Sequence, residues 1–319
     1  MVTSRPAAYF PGLGEDFAHY EMAEFDDSTI TEFVKKWSLT LTEDSTKAES
    51  RSASLLAAIF RSGDLRALAR NPLLLTIMVS LYTYRGELPE HREILYEDTI
   101  NLLLERWDVA RGVSVTQLKP ELSLYDTKSL LGSLAFSAQD AGLITLDESF
   151  ILSVFSNELT KKGLPQSEAN NNALSLLRLS MERAGILIAK GAGIYQFAHQ
   201  IIQEYLASIA LSENENYIKL VLERHKNDLW KESIRLSIAR VARGALKAAE
   251  DVIRALLETQ STEGILLAGS GLLEIMPVKN TELQEKVMQS LNALVADTQI
   301  ADASREQAKA ILDKLGQAH

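Results

Sequence analysis

At 319 residues, with 46% hydrophobic and 24% charged residues, the chain has the balance of a soluble globular protein with room for about two or three domains. A net charge of −10 argues against non-specific binding to nucleic acid or anionic membrane, and zero cysteines exclude disulfides, thiol nucleophiles and thiolate metal sites. The longest apolar run, Leu73 to Leu81, is far short of the ~20 residues that span a bilayer, and the N-terminus lacks the apolar core of a secretory signal. A cytoplasmic protein with no membrane role fits these features.

Taken in chain order, the pattern predicts helices almost throughout. Residues 1–25 read as the end of a strand, Met1 to Pro6, running into a loop kept irregular by Pro11, Gly12 and Gly14. Asp26, Asp27 and Ser28 then open an amphipathic helix through Ile30, Phe33, Val34 and Trp37. Residues 40–52 are polar and read as a loop or frayed turn. Three helices follow: Leu55 to Phe60 with a continuation past Gly63, Leu73 to Tyr84 after the break at Asn71-Pro72, and Arg92 to Trp107.

Residues 122–212 change rhythm. Helices are expected at Leu124 to Ala138, Phe150 to Leu159 and Ala173 to Ala184, then a hairpin turning at Gly191 and Gly193, then a further helix. Three helices before a two-stranded wing is the order of a winged helix. From Leu229 the chain reads as paired helices: Trp230 to Ala242, Leu246 to Leu257, Gly264 to Ile275, Leu283 to Val295 and Ser304 to Leu315. Stacked pairs of this kind build a solenoid. The expected fold is therefore mainly α: a helical domain, a winged-helix domain with a small β-hairpin wing, and a HEAT-like α-solenoid.

The candidate chemistry centres on His199. The segment Tyr195 to Ala207 turns from strand to helix there, and Ile201, Ile202, Tyr205, Leu206 and Ile209 recur at helical spacing. His199 is expected in the first helical turn, where unpaired backbone N–H groups and the dipole favour phosphate. On spacing alone, a lone histidine in a mostly apolar segment is more often just a packed residue. Elsewhere no phosphate-cradling Gly-x-x-x-x-Gly-Lys-Ser/Thr loop occurs, and the five histidines show no metal-ligand spacing. No catalytic residue and no metal site emerge, so the chain alone is not expected to be an enzyme. A DNA-binding winged helix is disfavoured because the helix from Ala173 to Ala184 carries only Arg178 and Arg183 against Glu182.

Several segments together resemble the part of a NACHT-type signalling NTPase, of the STAND class of P-loop ATPases and NLR-like, that follows the nucleotide-binding core. Val2 to Pro6 is similar to the sensor strand that ends that core, and Phe33 to Trp37 to a Phe-x-x-Lys-Trp segment. Asn71 to Leu75, Arg85 to Pro89, Leu95 to Glu97 and Glu105 to Trp107 resemble the helical domain against the nucleotide. Phe197 to His199 and Gln203 to Ala207 resemble the end of the winged helix. The resemblance implies four regions: a core remnant at 1–25, a helical domain at 26–120, a winged helix at 121–212 and a solenoid at 213–319.

The resemblance also implies roles. Arg5 would reach the terminal phosphate, Pro72 would lie against adenine, and His199 would contact the β-phosphate of ADP and close the winged helix over the core. Exchange of ADP for ATP would open it, with Mg bound in the intact ATPase, and homo-oligomerisation would follow. The setting implied is signal transduction or bacterial defence, with a protein or ligand sensed on the solenoid. The phosphate loop and magnesium-binding aspartate would precede residue 1, so this chain is expected to bind no nucleotide tightly without its missing N-terminal core. The alternatives are a winged-helix DNA-binding regulator and a purely structural helical scaffold.

Overall fold

The structure, a computed structural model, describes residues 23–41, 44–61, 63–89, 91–111, 122–277 and 280–317. The expected sensor strand and Arg5 lie outside the described residues, as does the expected boundary at residue 120. The fold is mainly α, with fifteen α-helices and one three-stranded sheet among the described residues. No helix among them is long and apolar enough to cross a membrane. The chain divides into two units, Met1–Leu88 and Pro89–His319.

The first unit holds α1 (Asp27–Leu41), α2 (Ser45–Arg61), α3 (Gly63–Ala69) and α4 (Pro72–Arg85). Asp26 starts α1 by accepting from the Thr29 amide at 2.7 Å, and the Thr29 hydroxyl and amide hold its carboxyl down at about 2. Within the stretch expected as a loop or frayed turn, residues 40–41 belong to α1 and residues 45–52 to α2. Helix α2 begins at Ser45, because the Asp44 carboxylate accepts from the amides of Thr46 and Lys47 at 3.1 and 3.2 Å. Ala48 and Ser52 extend the buried stripe of Leu55 and Ile59 by two turns, and their small side chains hid it among polar neighbours. Leu74, Leu75, Met78, Val79 and Leu81 bury α4 on several sides, as its apolar sequence predicts.

The second unit opens with α5 (Arg92–Arg111) and continues through the winged helix. Its elements are α6 (Leu124–Asp140), β1 (Leu146–Asp147), α7 (Glu148–Lys161), α8 (Gln166–Arg178), β2 (Leu187–Gly191), β3 (Ile194–Phe197) and α9 (Gln200–Ser212). The recognition-position helix is α8, followed by a π turn at Leu179–Arg183, so it starts seven residues before the expected Ala173. The wing is a three-stranded antiparallel sheet in the order β1-β3-β2, because Leu146 pairs with Tyr195 beside the expected hairpin. Gly193 turns that hairpin with φ +70°, a backbone angle that side chains disfavour.

Helix α6 lies directly on α9. A Cβ at Gly132 would sit 3.0 Å from the Leu206 carbonyl oxygen, so glycine lets the two backbones meet. Beyond α9 come α10 (Tyr217–Arg224), α11 (Lys231–Gly244), α12 (Leu246–Glu258), α13 (Thr262–Glu274), α14 (Thr281–Ala296) and α15 (Asp302–Gln317). Helices α9, α11, α13 and α15 pack in succession as one layer, and α10, α12 and α14 as the other. This alternation is a helical solenoid. Its stripes are regular: Ala249, Val252, Ile253 and Leu256 of α12 are all buried at helical spacing. Helix α10, absent from the sequence expectation, buries only Tyr217 and Val221. Its Arg224 lies over Phe136 and Trp230, 4.9 and 5.1 Å from the ring centres, and forks onto Asp140 at 2.8 and 2.9 Å.

Candidate functional site

His199 stands at the hinge between β3 and α9. Strand β3 ends at Phe197, and the Ala198 amide donates to the Ile186 carbonyl at 2.8 Å, which fixes the chain as it leaves the sheet. The backbone of His199 is still extended, at φ −149° and ψ 147°, so the residue is the N-cap of α9 and not a member of its first turn. Its Nδ1 accepts the Ile201 amide at 3.3 Å. The imidazole thus satisfies one of the amides expected to be open to a ligand. A ring whose Nδ1 accepts carries its proton on Nε2, which makes that nitrogen a hydrogen-bond donor. The ring is half-buried.

Pro72 is the first residue of α4, exposed, in the first unit. Asn71 caps that helix through Oδ1, which accepts from Leu74 at 3.3 Å. Proline suits this position because the amide it lacks would have had no helical partner.

The second unit also contains a charged cluster that sequence reading did not find. Arg92, the first residue of α5, forks onto Glu274 at the end of α13, with Nε 3.1 Å from Oε2, and reaches Glu232 of α11 at 2.6 Å. Arg235 bridges the same two carboxylates at 2.8 and 3.3 Å. Arg243 of α11 pairs with Glu93, the next residue of α5, at 2.9 Å and with Glu97 about a turn further along. Lys128 of α6 lies 3.6 Å from Glu97, and Arg240 pairs with Glu213 at 3.0 Å.

Burial sets the electrostatics here. It opposes the charge of Arg92, yet Glu232 and Glu274 outweigh it and hold the guanidinium firmly ionised. Burial raises Glu93 above the usual carboxylate range despite Arg243. The same penalty on Glu97 is overcome by Arg243, Lys128 and Arg240, so Glu97 lies below it. Glu204 of α9 is pushed up to about 7, chiefly by burial and further by Glu232, while the Gln200 amide and Arg92 pull it back. Tyr205, beside it, is fully buried with its hydroxyl unpaired among the described residues.

A cavity of about 170 Å³ adjoins this cluster, between His91, Glu93, Arg243, Leu246, Glu274 and Met276. His199 does not line it. No group of three or more histidines and carboxylates among the described residues could hold a metal. The charged cluster escaped sequence reading because its partners are far apart, 140 residues for Arg92–Glu232 and 182 for Arg92–Glu274. The available signal was the run of Glu232, Arg235, Arg240 and Arg243 on a helix otherwise facing the core.

Residues 92–211 match the family model described as the winged helix-turn-helix domain C-terminal to NACHT. The matched stretch takes in α5, the whole winged helix with its sheet, and α9 with His199 at its head. No curated protein matches the chain.

Proposed function

From the premise that this chain carries the winged-helix domain that follows a NACHT module, we propose that it is the regulatory and interaction part of a NACHT-type signalling ATPase. The winged helix closes over ADP on the nucleotide-binding core and opens when ATP replaces it. The chain itself is not catalytic, and the solenoid offers a surface for a protein partner or ligand. Homo-oligomerisation follows opening, in signal transduction or defence.

The observation that carries this reading is the placement of His199. A strand tied to its neighbour by the Ala198–Ile186 bond delivers the ring to the start of α9, with Nδ1 engaged and the proton on Nε2. An Nε2–H donor at a helix N-terminus suits a phosphate oxygen. Such a bond favours the closed state only because it exists there and not in the open one.

His199→Ser separates the two duties of this residue, since serine caps a helix but is too short to replace the imidazole donor. In the longer protein that includes the core, calorimetry should show ADP binding weakened about tenfold or more, the equivalent of one charge-assisted hydrogen bond. The fragment alone should show no measurable binding of ADP or ATP. Unchanged ADP affinity in the serine variant of the longer protein would overturn the reading. Micromolar binding by the fragment, lost in His199→Ala, would show instead that the site works without its core.

A further inference from the structure

The buried carboxyl of Glu204 has no part in the proposed nucleotide contact, although it lies in the helix that His199 caps. It is 9% exposed, and among the described residues its only direct side-chain partner is the neutral Gln200 amide at 2.7 Å. Its backbone ties it to the next helix of the same layer, α11. The Glu204 carbonyl accepts from the Ser233 hydroxyl at 2.9 Å, and Ser233 in turn accepts from Gln139 at 2.9 Å. Ser233 is the residue after Glu232, whose carboxylate is held by Arg92 and Arg235.

The charged and titratable groups facing Glu204 come from two neighbouring helices. Helix α5 supplies Arg92 and Tyr96, and α11 supplies Glu232; Glu274 of α13 stands behind Arg92 as its other partner. Among the described residues, helices α6 and α10 and strand β3, which also pack on α9, add no charge that acts on it. Arg92 therefore serves two carboxylates while a third lies within its field.

We propose that this junction is a proton-operated clasp between the winged helix and the solenoid. Protonated Glu204 leaves Arg92 to Glu232 and Glu274, and loss of that proton adds a rival carboxylate that loosens α11 from α5 and α9. The clasp lies within the second unit and is independent of whether His199 meets a phosphate.

Glu204 holds its proton up to about 7 in the folded chain, whereas an ordinary glutamate releases it at 4.5. Between those values the folded state binds one more proton than the unfolded state, so stability falls as pH rises. The stability associated with the clasp is whole below about 4.5 and is lost by the time pH passes 7. Glu93, also raised by burial, adds a slope of the same sign, so the informative quantity is the difference between wild type and a Glu204 variant.

Denaturant unfolding of the full chain from pH 5 to 8.5 should therefore compare wild type with Glu204→Gln. The glutamine mimics the protonated carboxyl. The ratio of their folding equilibrium constants should widen with pH, by about tenfold per unit through the middle of the range, and reach on the order of a hundredfold by pH 8. A ratio that stays constant with pH would overturn the proposal.

Should the glutamine variant fail to fold, the wild type still decides the matter. Carbon-13 titration of the Glu204 carboxyl should show a midpoint near 7, moved to lower pH in Glu232→Gln, and amide exchange at Ser233 to Arg235 should quicken above it once corrected for intrinsic rate. A midpoint below about 5.5, or exchange indifferent to the titration, would refute the clasp.

Discussion

Helix α13 is held by charge at its last residue and by close contact along its middle, and the two modes serve different ends. Glu274 gathers Arg92 and Arg235. Gly269, less than two turns away, has no side chain at all, and a Cβ there would lie 2.9 Å from Leu291 and 3.0 Å from Ile311. Apolar contact of this kind is cohesive and indifferent to pH. A buried ion pair adds little net stability, because desolvation offsets attraction, but it is intolerant of wrong partners. The contrast teaches that the outer solenoid is built for cohesion, and its junction with the winged helix for a defined and adjustable fit.

The largest expected effect comes from breaking the charged side of this contrast. Arg92→Ala leaves Glu274 and Glu232 with Arg235 alone, and loss of a buried partner should lower stability by about 3 kcal/mol in urea unfolding. A loss below about 1 kcal/mol would place the cluster with ordinary surface pairs. On the apolar side, Gly269→Ala gains helix propensity but forces Leu291 and Ile311 to shift, for a net loss of about 1 kcal/mol. The two losses should add within about 0.5 kcal/mol if charge and packing act independently on α13; a larger coupling would dissolve the distinction. Smallest is His199→Ala, which removes a long cap bond of 3.3 Å and should lower the midpoint of thermal unfolding by the equivalent of about 0.5–1 kcal/mol. His199→Asn should recover most of that, since asparagine caps well.

Sequence alone carried the mainly α architecture, the winged helix and the stacked pairs, because each rests on local periodicity. It failed where a stripe was made of small or isolated residues. Ala48 and Ser52 continue the buried face of α2 but read as part of a polar loop, and α10 has only Tyr217 and Val221 to mark it. The third strand was missed because Leu146–Asp147 is too short to announce itself and is strand only through its pairing with β3. At the site, the strand-to-helix change located His199 within one residue. Whether its ring capped the helix or sat inside the first turn depended on backbone angles that periodicity does not encode. The charged cluster was illegible for a deeper reason, since ion pairs between distant helices leave in one helix only a run of charges, such as that on α11, which does not name its partners.

Gly132 sets the clearance for everything carried on α9. With 3.0 Å between a hypothetical Cβ and the Leu206 carbonyl, the helix has no slack toward α6. His199 caps α9 and Glu204 lies within it, so both are indexed to α6 like teeth on a single gear. Any larger residue at position 132 would shift the cap and the carboxyl together, and their separate effects would change in step.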